Sequence, residues 1–137
     1  MMQILADVAT QCRGTYVEVG AGDGVTNSTT WLMSEARWSG FLFEADQRQE
    51  KLLRRNRRRA IVYGAACYGR QRRQRMQFAL FEGMSGSVRF MPPVWRAFAG
   101  APVVQKCTRV DRLLYTEGVD TIHFLSVHVG GGELAVL

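Results

Sequence analysis

The stretch Tyr16–Val25, YVEVGAGDGV, sets glycine at positions 20, 22 and 24 directly behind an alternating apolar run. A surface turn is satisfied by one glycine, or at most two. Three at every second position describe a backbone that another group must approach closely, because glycine lacks a Cβ and adopts positive φ freely. Thr15–Val19 ahead of them is β-branched and aromatic and reads as a buried strand ending at the first glycine. Thr26, Asn27 and Ser28 after them are all competent N-caps, so a helix is expected from there to about Ala36. A strand, a glycine loop and a helix in that order belong to parallel α/β architecture. There the ligand sits at the carboxyl ends of the strands, beside the first strand-to-helix turn.

The remaining segments extend that pattern. Gly40 opens FLFEA, a second strand of continuous apolar character, as expected of a sheet covered on both faces. Asp46 can cap the next helix, QRQEKLLRRNRR, with Leu52 and Leu53 toward the sheet and the arginines toward water. Ala60–Tyr68 reads as a third buried strand, MQFALFEG as a further strand in antiparallel sense, and Thr121–Val129 as a late apolar strand. A short strand and a helical turn from about Val110 precede that last one, and Pro92, Pro93 and Pro102 mark an irregular connection. The fold class is α/β, a Rossmann-like three-layer sandwich with a mostly parallel sheet. We divide a single domain over 1–137 into an amphipathic lead-in helix at 3–12, a cofactor-binding half at 14–68, a hairpin and irregular connection at 69–109, and a fourth-core-strand region at 110–137.

Two acids select the ligand. Glu44 ends the second strand twenty residues after Gly24, where a carboxylate hydrogen-bonds the ribose hydroxyls of an adenosine-type ligand. Dinucleotide folds carry G-x-G-x-x-G, whereas here the third glycine comes one position early and Glu18 precedes the loop. An acid at 18 repels a pyrophosphate but helps hold an ammonium. S-adenosylmethionine offers that ammonium, a carboxylate for a helix N-terminus and a ribose for Glu44.

Cys12, Cys67 and Cys107 are odd in number and contain no CxxC pair, so free thiols in a reducing, cytoplasmic setting are expected, with neither a metal site nor a disulfide framework. No apolar run approaches the roughly 20 residues of a membrane-spanning helix. The net charge of +6 is concentrated, with 11 of the 18 basic residues lying between Arg48 and Arg75. Such a patch attracts phosphate backbones or an anionic membrane surface. Neither basic run, Arg48–Arg59 or Arg70–Arg75, has an aromatic residue within it to stack bases, so nucleic acid is the weaker expectation and a solvated face the plainest.

At this point the residues resemble a family. GTYVEVGAGDGVTNSTTWLMSEARWSGFLFEAD is similar to the opening of the FkbM-type S-adenosylmethionine-dependent methyltransferases, which read as an acid, G-A-x-D-G, an S-N/S-T helix start, a W-x-G and an I-E-P-like second strand. VDTIHFLSVHVGGGELAVL is similar to the family's later motif, I-D-F-L-x-L-D-V-E-G-x-E-x-x-V-L, and RVDRLL stands where the family has a similar short segment. The resemblance runs from Gly14 to Leu137. It implies a class I methyltransferase fold and methyl transfer to a hydroxyl oxygen of a small molecule or glycan. It also implies that Glu18, Gly20, Ala21, Gly22, Asp23 and Gly24 form the methionine-side loop and that Asn27 and Ser28 sit at the helix start. Glu44 would bind the ribose and Ala66 would meet the adenine edge.

The departures fall nearest the chemistry. Where the family has the acids of D-V-E-G, this chain has His128-Val129-Gly130-Gly131, and His123 replaces the earlier acid. Glu133 survives from the acidic set, and His128 offers an imidazole competent as a general base near neutral pH. His128 and Glu133 are therefore the catalytic candidates, and His123 a structural residue. The chain carries fewer strands than the family's seven-stranded sheet, so an apolar edge is expected at Thr121–Val127, open to pairing or covered in an oligomer. Two readings stand: an active O-methyltransferase, or a catalytically impaired domain retained for cofactor binding or protein interaction.

Overall fold

A computed structural model describes residues 13–68, 75–81 and 85–137. The expected lead-in helix and the arginines at 70, 72 and 73 lie outside the described residues. Strand β1 (Thr15–Val19) is central, pairing in parallel with β2 (Ser39–Phe43) on one side and with β8 (Phe124–Val127) on the other. Strand β3 (Ile61–Tyr63) continues the parallel sheet beyond β2, giving the order β3-β2-β1-β8. A second, mixed sheet has the order β4-β7-β5-β6, from β4 (Ala65–Ala66), β7 (Val103–Thr108), β5 (Arg75–Ala79) and β6 (Gly86–Ser87). Strand β4 runs parallel to β7, whereas β5 is antiparallel to both β7 and β6.

Side-chain alternation along β1 sorts the two cores. Val17 and Val19 face one way, with Phe41 and Phe43 of β2, and pack with Val110, Leu113 and Leu114 of α4 (Val110–Thr116) and Val136 of α5 (Glu133–Val136). Tyr16 faces the other way, with Leu42 and Val62, against Met33 of α1 (Trp31–Glu35), Trp38, and Leu53 of α2 (Gln47–Asn56). Gly40 lies in register with Tyr16, and a Cβ there would stand 2.1 Å from the tyrosine ring, so the chain needs glycine under that ring. The remaining helix, α3 (Pro93–Arg96), is a single turn in the Pro92–Pro102 connection. His123 joins the start of β8 to β1: its N–H donates to the Thr15 carbonyl at 2.9 Å, and its Nδ1 accepts from the Thr15 N–H at 3.1 Å. It is a structural residue, edge-on to Trp38.

Several sequence expectations need correction. The helix expected from Thr26–Ser28 begins only at Trp31, capped at Thr30 without a side-chain bond. Asn27 sits at φ 56° and Ser28, Thr29 and Thr30 turn their hydroxyls onto Glu18, so the segment wraps a carboxylate instead of coiling. The Ala60–Tyr68 strand divides at Gly64, its first half pairing with β2 and its second with β7. Asp46 does cap α2, accepting from the Arg48 N–H at 2.8 Å. Leu52, however, stays 41% exposed, while Arg57 is buried. The cysteine expectation also fails: Cys67 and Cys107 form a disulfide between β4 and β7. Cytoplasmic placement had rested on free thiols and loses that support. Among the described residues no helix is long and apolar enough to cross a membrane. Strand β8 has β1 as its neighbour among the described residues and leaves Ile122 and Leu125 exposed.

Candidate cofactor site

Where β1, β2 and β8 end, the chain leaves a cavity of about 500 Å³. Glu18, Gly20, Ala21, Gly22, Asp23, Asn27, Ser28, Glu44, Ala66 and His128 all line it. Gly24 and Glu133 do not. The volume falls within the range of small-ligand and cofactor sites.

The three glycines, all at positive φ, do different work. A Cβ at Gly20 would stand 1.9 Å from the His128 carbonyl oxygen, so this glycine lets the ends of β1 and β8 touch. One at Gly24 would stand 2.5 Å from a Leu53 methyl and 2.7 Å from Arg57 Cγ, so Gly24 seats the loop on α2. Only Gly22 has nothing within 4 Å of the missing Cβ: its bare backbone faces the open cavity. Gly24 thus serves packing, not the ligand wall. Asp23 stabilises the loop from within, accepting from the N–H groups of Val25 and Thr26 and from the Thr26 hydroxyl. Partial burial pushes its carboxyl up, and these donors outweigh that to hold it below the usual range.

Glu44 points at the glycine loop. Its Oε2 accepts from the Gly22 N–H and its Oε1 from the Asp46 N–H, each at 2.7 Å. Burial, at 7% exposure, pushes its pKa up, and the two amide donors oppose that without overcoming it. Each oxygen keeps a lone pair for a further donor from the cavity.

Glu18 is committed differently. Its oxygens accept from the hydroxyls of Ser28, Thr29 and Thr30 and from the Thr29 N–H, which fills the acceptor sites of a carboxylate. It therefore holds the 26–30 wall in place and does not present a free oxygen to an ammonium. Behind it stands Arg57, a residue the sequence reading had assigned to solvent. Its guanidinium donates to the carbonyls of Gly24 and Thr30, to the hydroxyls of Ser28 and Thr30, and to Tyr16. It also lies 5.5 Å from the ring centres of both Tyr16 and Trp31. Arg57 and Glu18 thus share Thr30 and Ser28 without touching. The available signal was spacing: Arg57 falls one helical turn after the buried Leu53.

The floor of the cavity is apolar and aromatic, formed by Phe43, Ala66, Tyr68 and Phe78. Tyr68 donates to the Val129 carbonyl at 3.3 Å, and burial pushes its phenol up to about 12, so it remains a donor. These aromatics were legible as strand core but not as a wall, because the sheet that carries Phe78 is set by pairing with distant β7. His128 is exposed at the rim, its backbone N–H donating to the Val19 carbonyl at 2.8 Å. Glu133 instead accepts from the N–H groups of Val129 and Gly131 and braces the turn after β8. Partial burial works to raise its carboxyl, but those amides, with His128 nearby, hold it below its ordinary value.

The wall is acidic. Glu18, Asp23, Glu44 and Asp46 line the cavity, and no lysine or arginine among the described residues does. Among the described residues the ion pairs are Arg48–Asp46, Arg54–Glu50 and Arg109–Asp111, so Glu18, Asp23 and Glu44 face the cavity without a cation bonded to them. Asp46 is held below the ordinary carboxylate range, its Arg48 and amide partners outweighing the effect of burial. Compared with known proteins, the chain matches no family model, no curated protein and no solved structure. Geometry and chemistry alone carry the functional reading.

Proposed function

We propose that this cavity binds S-adenosylmethionine and that the chain is an FkbM-type O-methyltransferase built on a Rossmann-like half-sheet. The single observation that carries this reading is an acid-lined cavity over a bare glycine loop, with no lysine or arginine in its wall among the described residues, in a chain of net charge +6. A pyrophosphate or other polyanion is repelled there, whereas a ligand bearing a sulfonium and an ammonium is attracted. The residues fit such a group. Glu44 has lone pairs left for two ribose hydroxyls, Gly22 gives close approach, and Phe43, Ala66, Tyr68 and Phe78 offer a flat apolar surface to a base. When bound, the cofactor supplies a methyl group on a positively charged sulfur. At the rim, His128 accepts the proton of an acceptor hydroxyl.

Glu44→Gln is expected to weaken S-adenosylmethionine binding by at least about tenfold, since an amide cannot accept from Gly22, Asp46 and a ribose together. His128→Ala should leave binding unchanged and lower methyl transfer to hydroxyl acceptors by about 10²–10⁴-fold. Titration calorimetry and a radiolabelled transfer assay read the two separately. The second reading, a cofactor-binding module without turnover, is favoured by Glu133, whose carboxylate is engaged by the Val129 and Gly131 amides. Binding without turnover on any hydroxyl acceptor decides for it.

A further inference from the structure

We infer that the outer face of α2 is a docking surface for an anionic lipid bilayer. The inference is independent of the cofactor reading. Arg48, Lys51 and Arg55 recur at i, i+3 and i+7, opposite the buried Leu53, and Arg54, Arg58 and Arg59 flank that stripe. All six are exposed. Two have carboxylates: Arg54 pairs with Glu50 at 2.7 Å and Arg48 with Asp46 at 3.1 Å. Lys51, Arg55, Arg58 and Arg59 form no ion pair among the described residues.

A merely solvated helix face intersperses both signs of charge; here the exposed charges are all basic, and the acids of the segment, Asp46 and Glu50, are buried and half-buried. Two further features distinguish a bilayer from a nucleic acid. Leu52 and Ile61, each 41% exposed, stand within the basic segment and offer aliphatic side chains to the headgroup boundary. Residues 46–61 contain no aromatic side chain on which a base could stack. Clusters of four to eight basic residues on an amphipathic helix are the usual footprint of anionic-lipid recognition. The other side of the same helix meets the cavity, where Asp46 and Gln49 form part of the wall. Docking through α2 therefore holds the cavity about one helix diameter, roughly 10–12 Å, from the lipid surface.

The test is flotation of the full chain with phosphatidylcholine vesicles, with and without phosphatidylserine, at low and at physiological salt. The expected result is binding only when phosphatidylserine is present, weakened by salt. The Lys51→Glu/Arg55→Glu/Arg58→Glu variant should bind at least about 100-fold more weakly with an unchanged melting temperature. Leu52→Ser should bind several-fold more weakly while keeping every charge. Absence of binding to phosphatidylserine vesicles overturns the proposal, as does equal binding to neutral vesicles or undiminished binding by the triple variant. Displacement from vesicles by duplex RNA, with Leu52→Ser indistinguishable from the unaltered chain, overturns it in favour of a nucleic-acid surface.

Discussion

Arg57→Met is expected to unfold at much lower denaturant than the unaltered chain, with a loss of about 3–5 kcal/mol. Arg57 is 1% exposed and its guanidinium ties together five acceptor atoms on four residues, drawn from β1, the glycine loop and the turn before α1. Methionine fills similar volume but leaves the Gly24 carbonyl and the Tyr16 hydroxyl without that donor, while the Thr30 carbonyl keeps the Ser34 N–H. It also removes the positive charge that faces Glu18 through Thr30. Unsatisfied buried acceptors cost about 1–3 kcal/mol each before any relaxation. Against a typical total of about 5–15 kcal/mol, this is a large share of the fold's stability. Lysine retains the charge but not the planar fork, so Arg57→Lys should recover only part of the loss. Urea unfolding checks this: a shift in midpoint with unchanged slope is expected, and a loss under about 1 kcal/mol would show that the network does not hold the cavity wall.

Reduction of the disulfide has the second largest effect. Cys67 and Cys107 lie 40 residues apart, a loop whose closure restricts the unfolded chain by roughly 3–4 kcal/mol. Thiol titration in denaturant without reductant should find one reactive thiol per chain, from Cys12, and three after reduction. Reduction, or the Cys67→Ser/Cys107→Ser variant, should lower the melting temperature by about 10 °C. Cys67 stands between Ala66 and Tyr68, both in the cavity wall, so the same treatment should loosen ligand binding at the aromatic end. Three thiols before reduction would contradict the bridge.

What the sequence made legible were features encoded within a few residues of one another. Thr15–Val19, the second strand and the Asp46 cap each carry their own local signal and stand where that signal put them, and the antiparallel strand expected over MQFALFEG forms over Arg75–Ala79. Glu44 and Gly22 were legible for the same reason, since a strand end and a bare loop follow directly from pattern. Illegible were features that depend on a distant partner. Thr26–Thr30 has every local mark of a helix start, but the hydroxyls of Ser28, Thr29 and Thr30 are claimed by Glu18, whose place is fixed by the pairing of β1. Arg57 is hidden in a run of arginines, and its burial appears only once Tyr16, Gly24 and Thr30 converge on it. Cys67 reads as core until β4 meets β7. Gly24 looks like its neighbours at 20 and 22, and only Leu53 and Arg57 reveal what it is for.

The most direct measurement is calorimetric titration of the purified chain with S-adenosylmethionine, with NAD as the phosphate-bearing control. Saturable binding of S-adenosylmethionine at one site per chain, weakened at least about tenfold in Glu44→Gln, with no detectable heat from NAD, is the expected result. No binding of S-adenosylmethionine, or tighter binding of NAD, would contradict the assignment of this acidic, glycine-looped cavity to a cationic adenosyl ligand.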